Sequence, residues 1–226
     1  MYQAAIQTQS TGILAWFDAT QLSVPGPVAS WPGRAGGTAT PPSANNRPTF
    51  SLNGLSGRPT VVFDGVNDCL EFPAVTGTYW SAFLVLRRDQ SPTYGTVLQA
   101  TSPTAEWAVV ALNNDAITGP IQVTSGATTR SGGTYGAAAP RIVSASFSAS
   151  GIDFKESGVP AVGITTSTTG YTYLPGISLI GAARMSPSLL GRFFAGAISE
   201  IRVYGSISAS QESAIYRELA NKWGVA

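Results

Sequence analysis

The stretch Arg192-Phe-Phe-Ala-Gly-Ala-Ile-Ser-Glu-Ile-Arg-Val-Tyr204 interleaves two sets of side chains. Phe194, Gly196, Ile198, Glu200, Arg202 and Tyr204 share one parity; Phe193, Ala195, Ala197, Ser199, Ile201 and Val203 share the other. Alternate side chains of a strand point to opposite faces, so the run predicts a long strand with one face on a core and the other on a partly polar surface. Gly196 inside it predicts a bulge or a close approach of backbone. Gly205 then breaks the strand, and Ser208-Ala-Ser-Gln211 has the pattern of a capping box. Ile215, Leu219 and Trp223 follow at four-residue spacing, one apolar stripe on a helix that Gly224 stops. The chain closes as a strand, a turn and a helix laid against the sheet.

Upstream, short apolar runs recur between Gly, Pro and Asn. Ile13–Phe17, Pro59–Phe63, Ser81–Leu86, Thr96–Gln99, Trp107–Leu112, Ile121–Val123, Ile142–Phe147 and Ile177–Ile180 read as strands, and Ile152–Lys155 with Val159–Val162 as a hairpin. This rhythm is that of a two-sheet antiparallel sandwich, here with one C-terminal helix. Residues 20–53 form a long Pro/Gly-rich excursion, a kind of loop that is usually functional or packed on a partner. No internal repeat and no second domain interrupts residues 12–226. Residues 1–11 are a polar, aperiodic arm, with Tyr2 and Ile6 as its apolar anchors for assembly.

The wording Gly196-x-Ile198-x-Glu200-Ile201-x-Val203-Tyr204, then Ile207-Ser208-x-x-x-Glu212, then Tyr216 and Lys222-Trp223-Gly224, resembles the concanavalin A-like lectin/glucanase superfamily. More narrowly it resembles the laminin-G-like jelly-roll modules of bacterial and phage proteins. Phe63-Asp-Gly-x-Asn-Asp-x-Leu70 and the opening Asp18-Ala19 carry the same likeness. The resemblance implies an all-β, two-sheet antiparallel jelly roll. It implies no activity, since lectins, hydrolases and structural modules share that fold.

Hydrophobic residues make up 43% of the chain and charged residues only 11%, against about 25% charged in an average domain. Lys and Glu are depleted where proteins meet, so this surface reads as one in contact with something. Net charge is +1 and no basic run exceeds Arg87-Arg88, which argues against nucleic acid. No window approaches the roughly 18 apolar residues of a membrane span. The N-terminus lacks a signal-peptide pattern, and one cysteine excludes an internal disulfide. Cys69 reads as core. A chain built for the outside yet without signal or disulfide is expected to assemble in a host cytoplasm and leave in a virion. The expectation is therefore a phage virion structural protein, a capsid decoration or a tail or fibre module, an oligomer or assembly component contacting other virion proteins or its own copies. The alternative is a carbohydrate-binding, lectin-like module recognising a glycan at a cell surface or outside the cell.

The chemistry-bearing residues are few. Histidine is absent, which removes the commonest general base and metal ligand. A retaining sugar hydrolase needs two carboxylates about 5–5.5 Å apart; the related glucanases carry Glu-x-Asp-x-x-Glu on one strand, and no Glu here has an acid two residues later. The expectation is that the chain is not an enzyme and needs no cofactor. Calcium is the family's occasional ion, and Asp64, Asn67 and Asp68 cluster as hard oxygens, although Asp and Asn also satisfy the amides of tight turns. Stacking on a sugar needs exposed aromatics. Trp31 and Trp80, with Tyr94, Tyr135, Tyr171 and Tyr173 in Gly/Thr-rich turns, are the candidates, each also readable as a loop anchor. Trp16 and Trp223 sit in apolar periodic positions and read as core. Glu200 and Arg202, polar residues inside the closing strand, read as structural, forming a cross-strand pair with another charge.

Overall fold

A computed structural model describes residues 12–75, 79–89, 94–101, 106–113, 121–125, 128–132, 139–148, 151–156, 159–160, 163–167, 177–186 and 188–225. The first strands are β1 (Ile13–Asp18), β2 (Gly26–Pro27), β3 (Trp31–Ala35), β4 (Thr38–Ala39), β5 (Thr49–Leu55), β6 (Arg58–Asp64) and β7 (Leu70–Pro73). Then come β8 (Trp80–Arg88), β9 (Tyr94–Thr101), β10 (Glu106–Asn113), β11 (Ile121–Ser125), β12 (Thr128–Gly132), β13 (Arg141–Ser148), β14 (Gly151–Glu156), β15 (Val159–Pro160) and β16 (Gly163–Ser167). The chain ends with β17 (Ile177–Ile180), β18 (Ala183–Ser186), β19 (Leu189–Gly191), β20 (Ala195–Tyr204) and helix α1 (Ala209–Trp223).

Two antiparallel sheets face each other. One has the order β15-β14-β13-β8-β20-β1-β3-β4, with β6 also on β20 and β5 and β2 continuing outward. The other runs β16-β12-β11-β10-β9-β17-β7. An isolated bridge stitches them at one side, where Thr40 and Glu71 exchange N–H···O bonds of 2.8 and 2.7 Å. Phe17, Leu84 and Ile201 of the larger sheet meet Phe72, Leu98 and Ile180 of the smaller one in a single buried cluster. The rings of Phe17 and Phe72 stand edge to face, 5.0 Å apart. The expected architecture of antiparallel sheets with a C-terminal helix is present.

Strand β20 departs from strict alternation. Ile198 pairs with Leu86 while Glu200 pairs with Val85, so Ser199 is an extra residue, a bulge opposite β8. The bulge swaps faces midway along the strand. Phe194 and Ile198 before it, and Ile201 and Val203 after it, all enter the inter-sheet core. Glu200, Arg202 and Tyr204 turn the other way, toward α1. This corrects the expected grouping of Phe194, Gly196 and Ile198 with Glu200. Gly196 marks a close approach, because a Cβ there would sit 2.3 Å from the Arg87 carbonyl oxygen.

Helix α1 forms as its ends predict. Ser208 Oγ accepts from Gln211 N (3.3 Å) and Gln211 Oε1 accepts from Ser208 N (2.8 Å); Gly224, at φ 64°, ends the helix in a left-handed cap. Ile215, Leu219 and Trp223 are buried against Phe83, Val85 and Tyr204 on the outer face of the larger sheet. A second apolar cluster thus lies outside the sandwich, under the helix.

Beside it sits a buried ionic knot. Glu200 Oε1 accepts from Trp16 Nε1 (2.7 Å) and Arg202 Nε (2.6 Å), and Glu200 Oε2 accepts from Lys222 Nζ (2.7 Å) and Trp223 Nε1 (2.6 Å). Lys222 also reaches Asp18 Oδ2 at 2.7 Å, and Arg202 reaches Glu218 at 2.7 Å. Trp16 is half-buried on this outer face, correcting its reading as core. The Cζ atoms of Arg34 and Arg202 lie 5.0 and 4.5 Å from its ring centre. Burial alone would raise the Asp18 carboxyl, but Lys222 and the Thr20 hydroxyl and amide outweigh it and hold it below the ordinary carboxylate range.

Trp223→Ala removes the largest side chain of the outer cluster, which is 1% exposed. The expected loss is about 3–5 kcal/mol, read by urea denaturation. An unchanged midpoint would place Trp223 outside the packing described.

Candidate functional site

Aromatic stacking residues are the first thing a sugar site needs, and the two tryptophans expected to provide them do not. Trp31 is 0% and Trp80 2% exposed. Trp31 fills the core and donates its Nε1–H to the Asp18 carbonyl at 3.1 Å, while Trp80 starts β8 with its ring buried. Neither offers a face to a ligand, which corrects both. Tyr94 opens β9, its backbone opposite Asn113. Tyr135, Tyr171 and Tyr173 lie outside the described residues, as do Tyr2 and Ile6 of the arm.

The remaining candidates converge on one end of the sandwich. Ala195 pairs with Asp64 and Gly196 with Arg88, so β6 and β8 end where β20 begins. Tyr94 opposite Asn113 places the start of β9 and the end of β10 together. Thr96 N bonds to Arg192 O at 2.8 Å, tying that corner of the smaller sheet to the approach of β20. Asp64, Asn67 and Asp68 therefore share this end with Tyr94, whereas Trp80 sits at the opposite one.

Charged residues at this end also face inward. Arg88 continues the parity of Leu84 and Leu86, whose side chains are in the core, and is itself 0% exposed. Arg141 lies opposite Leu86, and Glu156 opposite Val143, another core residue. Their side chains pair at 2.9 Å. Burial pushes the Glu156 carboxyl up, with Arg141 opposing. The sequence signal for this cluster was available: Arg88 ends one apolar strand and Arg141 begins another, at positions where the strand period points toward the core.

The turn Asp64–Asp68 is locked by reciprocal bonds. Asp64 Oδ1 accepts from the amides of Val66 (2.8 Å), Asn67 (3.1 Å) and Asp68 (3.2 Å), and Asp68 Oδ2 accepts from Asp64 N (2.9 Å). These oxygens point into the turn, so the residues fit turn closure better than a calcium cage. Among the described residues no group of three or more His, Cys, Asp or Glu gathers to hold a metal ion. The two carboxyls titrate apart. Burial would raise Asp64, but the three amides prevail and lower it. Asp68 is pushed up to about 6, chiefly by burial and further by the Asp64 charge, against the Asp64 amide.

The exposed edge of this end carries Asp64, the half-buried Asn67 and Phe193, and Val66 at 69% exposure.

No family of known sequences matches the chain, and no curated relative does. Solved structures do. A Trypanosoma rangeli sialidase in complex with sialic acid superposes with a TM-score of 0.62 at 13% identity, over 96% of this chain and 34% of the sialidase. Domain 4 of a GH43 extracellular arabinanase from Geobacillus stearothermophilus, in complex with arabinotriose, matches at 0.64 and 16%, over 91% of this chain and 98% of that domain. The binding domain of botulinum neurotoxin serotype D matches at 0.55 and 8%, over 98% and 56%. The chain spans about a third of the sialidase it matches.

These likenesses fix a sandwich, lectin-like β fold. Two of these neighbours are in complex with sugars, sialic acid and arabinotriose, and the expected phage virion component has no counterpart among the three. They also correct the expectation that the chain is not an enzyme, since a sialidase and an arabinanase are enzymes and hold this fold within their chains.

Asp68 gives the end a pH response. Its folded pKa lies above its ordinary 3.8, at about 6, so its favourable contribution is present below 3.8 and is lost as pH rises through 6. At neutral pH the partly desolvated charge therefore works against the fold. Asp68→Asn keeps an acceptor for Asp64 N without that charge. Its melting temperature is expected to exceed the parent's by at least about 4 °C at pH 8 and to match it at pH 4. Calorimetric melts at the two pH values check this; an equal shift at both would contradict it.

Proposed function

We propose that this chain is a carbohydrate-binding domain of the concanavalin A-like, jelly-roll type, taking an oligosaccharide at the loop end that carries Asp64, Asn67 and Phe193. The observation that carries the reading is the end-to-end likeness to the arabinanase domain in complex with arabinotriose, 98% of which this chain covers. A domain matched over its whole length is a closer functional unit than a third of a longer chain. The local chemistry supports it too. Ligand sites of this kind set a few convergent polar groups on a pre-formed rim, and the Asp64–Asp68 turn is held rigid by its own amides. Rigid presentation limits the ordering entropy that binding must overcome. The scarcity of Lys and Glu on the surface fits the same reading, because long charged side chains lose rotamer freedom when a ligand covers them.

Titration calorimetry against arabino-oligosaccharides, sialosides and a broader oligosaccharide panel tests this, with sugar release followed in the same samples. Binding is expected, and Asn67→Ala is expected to weaken it by about tenfold, the loss of one or two hydrogen bonds. Tyr79→Ala, next to Trp80 at the opposite end, should leave it unchanged. No binding across the panel, together with concentration-dependent self-association in sedimentation, would move the reading to a structural virion component.

A further inference from the structure

Along β7, β17 and β9 the outer face of the smaller sheet is covered where a sheet face would normally meet water. Glu71, Leu179 and Gln99 lie side by side across β7, β17 and β9. Their parity is opposite to that of Leu70, Phe72, Leu98 and Ile180, which fill the inter-sheet core. Yet Leu179 and Gln99 are each 1% exposed, and Cys69, two residues before Glu71, is 0% exposed. The β18–β19 hairpin lies over this row.

That hairpin is a sheet of its own, with no backbone ladder to either large sheet among the described residues. It is fastened from the underside by Arg184. The Arg184 backbone N–H donates to Gln99 Oε1 at 2.7 Å, and its guanidinium donates to Glu71 Oε1 at 2.6 Å. The upper side is apolar and open, with Met185 36% and Leu189 57% exposed. Both ends of the hairpin are flanked by left-handed residues, Gly181 at φ 84° and Arg192 at φ 52°. These two positions are pinned: Gly181 N bonds to Val97 O (2.9 Å), Phe194 N to Gly181 O (2.8 Å) and Thr96 N to Arg192 O (2.8 Å). The arrangement is a flap between two fixed hinges.

We propose that the β18–β19 hairpin is a strap, latched by Arg184, that lifts from the smaller sheet and uncovers the strip formed by Glu71, Gln99 and Cys69. A two-stranded hairpin has little stability by itself, so the fastening sets how often it opens. Non-glycine residues in the left-handed region occur where surrounding structure over-determines them, often at switch segments; Arg192 at the C-terminal hinge is such a residue. Opening leaves the inter-sheet core and the helix-side cluster untouched, because the strip belongs to neither. It is therefore a local opening, below the free energy of global unfolding. The strap is independent of any sugar-binding role for the loop end.

Cys69 is a built-in reporter. It is the chain's one cysteine, and its thiol is pushed up to about 12 by burial and by the Glu71 charge, with Arg184 opposing. It reacts only when uncovered. The test is the rate at which iodoacetamide modifies Cys69 in the folded full-length chain. Arg184→Met, which keeps an apolar stem, is expected to raise that rate at least about tenfold with little change in melting temperature. Glu71→Gln, which keeps an acceptor but removes its charge, should raise it by a smaller factor. Trp223→Ala destabilises the protein from the opposite face and serves as the reference for global unfolding. Wild-type labelling rates in Arg184→Met or in Glu71→Gln would overturn the strap. So would a labelling rate in Arg184→Met that its own global unfolding free energy, read by urea denaturation, fully accounts for.

Discussion

The carboxylate of Glu200 is the joint on which three parts of the chain meet. It faces away from the sandwich, is 0% exposed, and receives bonds from β1 through Trp16, from its own strand through Arg202, and from α1 through Lys222 and Trp223. An isolated buried carboxylate would be costly, but four donors satisfy both oxygens. The first strand, the closing strand and the last helix are thereby fixed together. Lys222 extends the joint to Asp18, whose carboxyl is held low. Because its folded pKa lies below the ordinary value, Asp18 stabilises the fold above that value and ceases to do so as pH falls through the folded one. Asp68, at the loop end, responds in the opposite sense.

The bulge at Ser199 makes this joint possible. Without an extra residue there, Glu200 would keep the parity of Ile198 and enter the apolar core between the sheets. With it, Ile198 and Ile201 both face the core, and Glu200 and Arg202 face the helix. One inserted residue thus sorts apolar from charged side chains along β20. Asp64, Asn67 and the inward arginines collect away from this tie, where β20 begins.

Much of the architecture was legible in the chain because local physics decides it. The capping box at Ser208 and Gln211, the stripe Ile215–Leu219–Trp223 and the stop at Gly224 each follow from short-range rules, and each is present. The bulge was not legible at its true position: Ser199 carries no local mark, and its place is set by pairing with β8. The site was harder to read, because exposure is a tertiary property. Trp31 sits among Pro and Gly in a loop-like context but is drawn inward by Phe17 and the Asp18 carbonyl. Trp16 alternates like a core residue but lies on the helix-side face between two arginines. Asp64, Asn67 and Asp68 were recognisable as a cluster, and the structure gives the reason: four hydrogen bonds close the turn Asp64–Asp68.

The central claim, that the Glu200 carboxylate joins β1, β20 and α1, is tested most directly by the urea unfolding free energy of Glu200→Gln. Glutamine has the same shape but turns one acceptor oxygen into a donor, set against the donors that Glu200 now receives, and it leaves Lys222 and Arg202 with Asp18 and Glu218 as their remaining charge partners. Breaking a buried ionic contact from one side costs about 3–5 kcal/mol, so a loss of at least about 3 kcal/mol is predicted. A loss below about 1 kcal/mol, the scale of an exposed pair, would contradict the account.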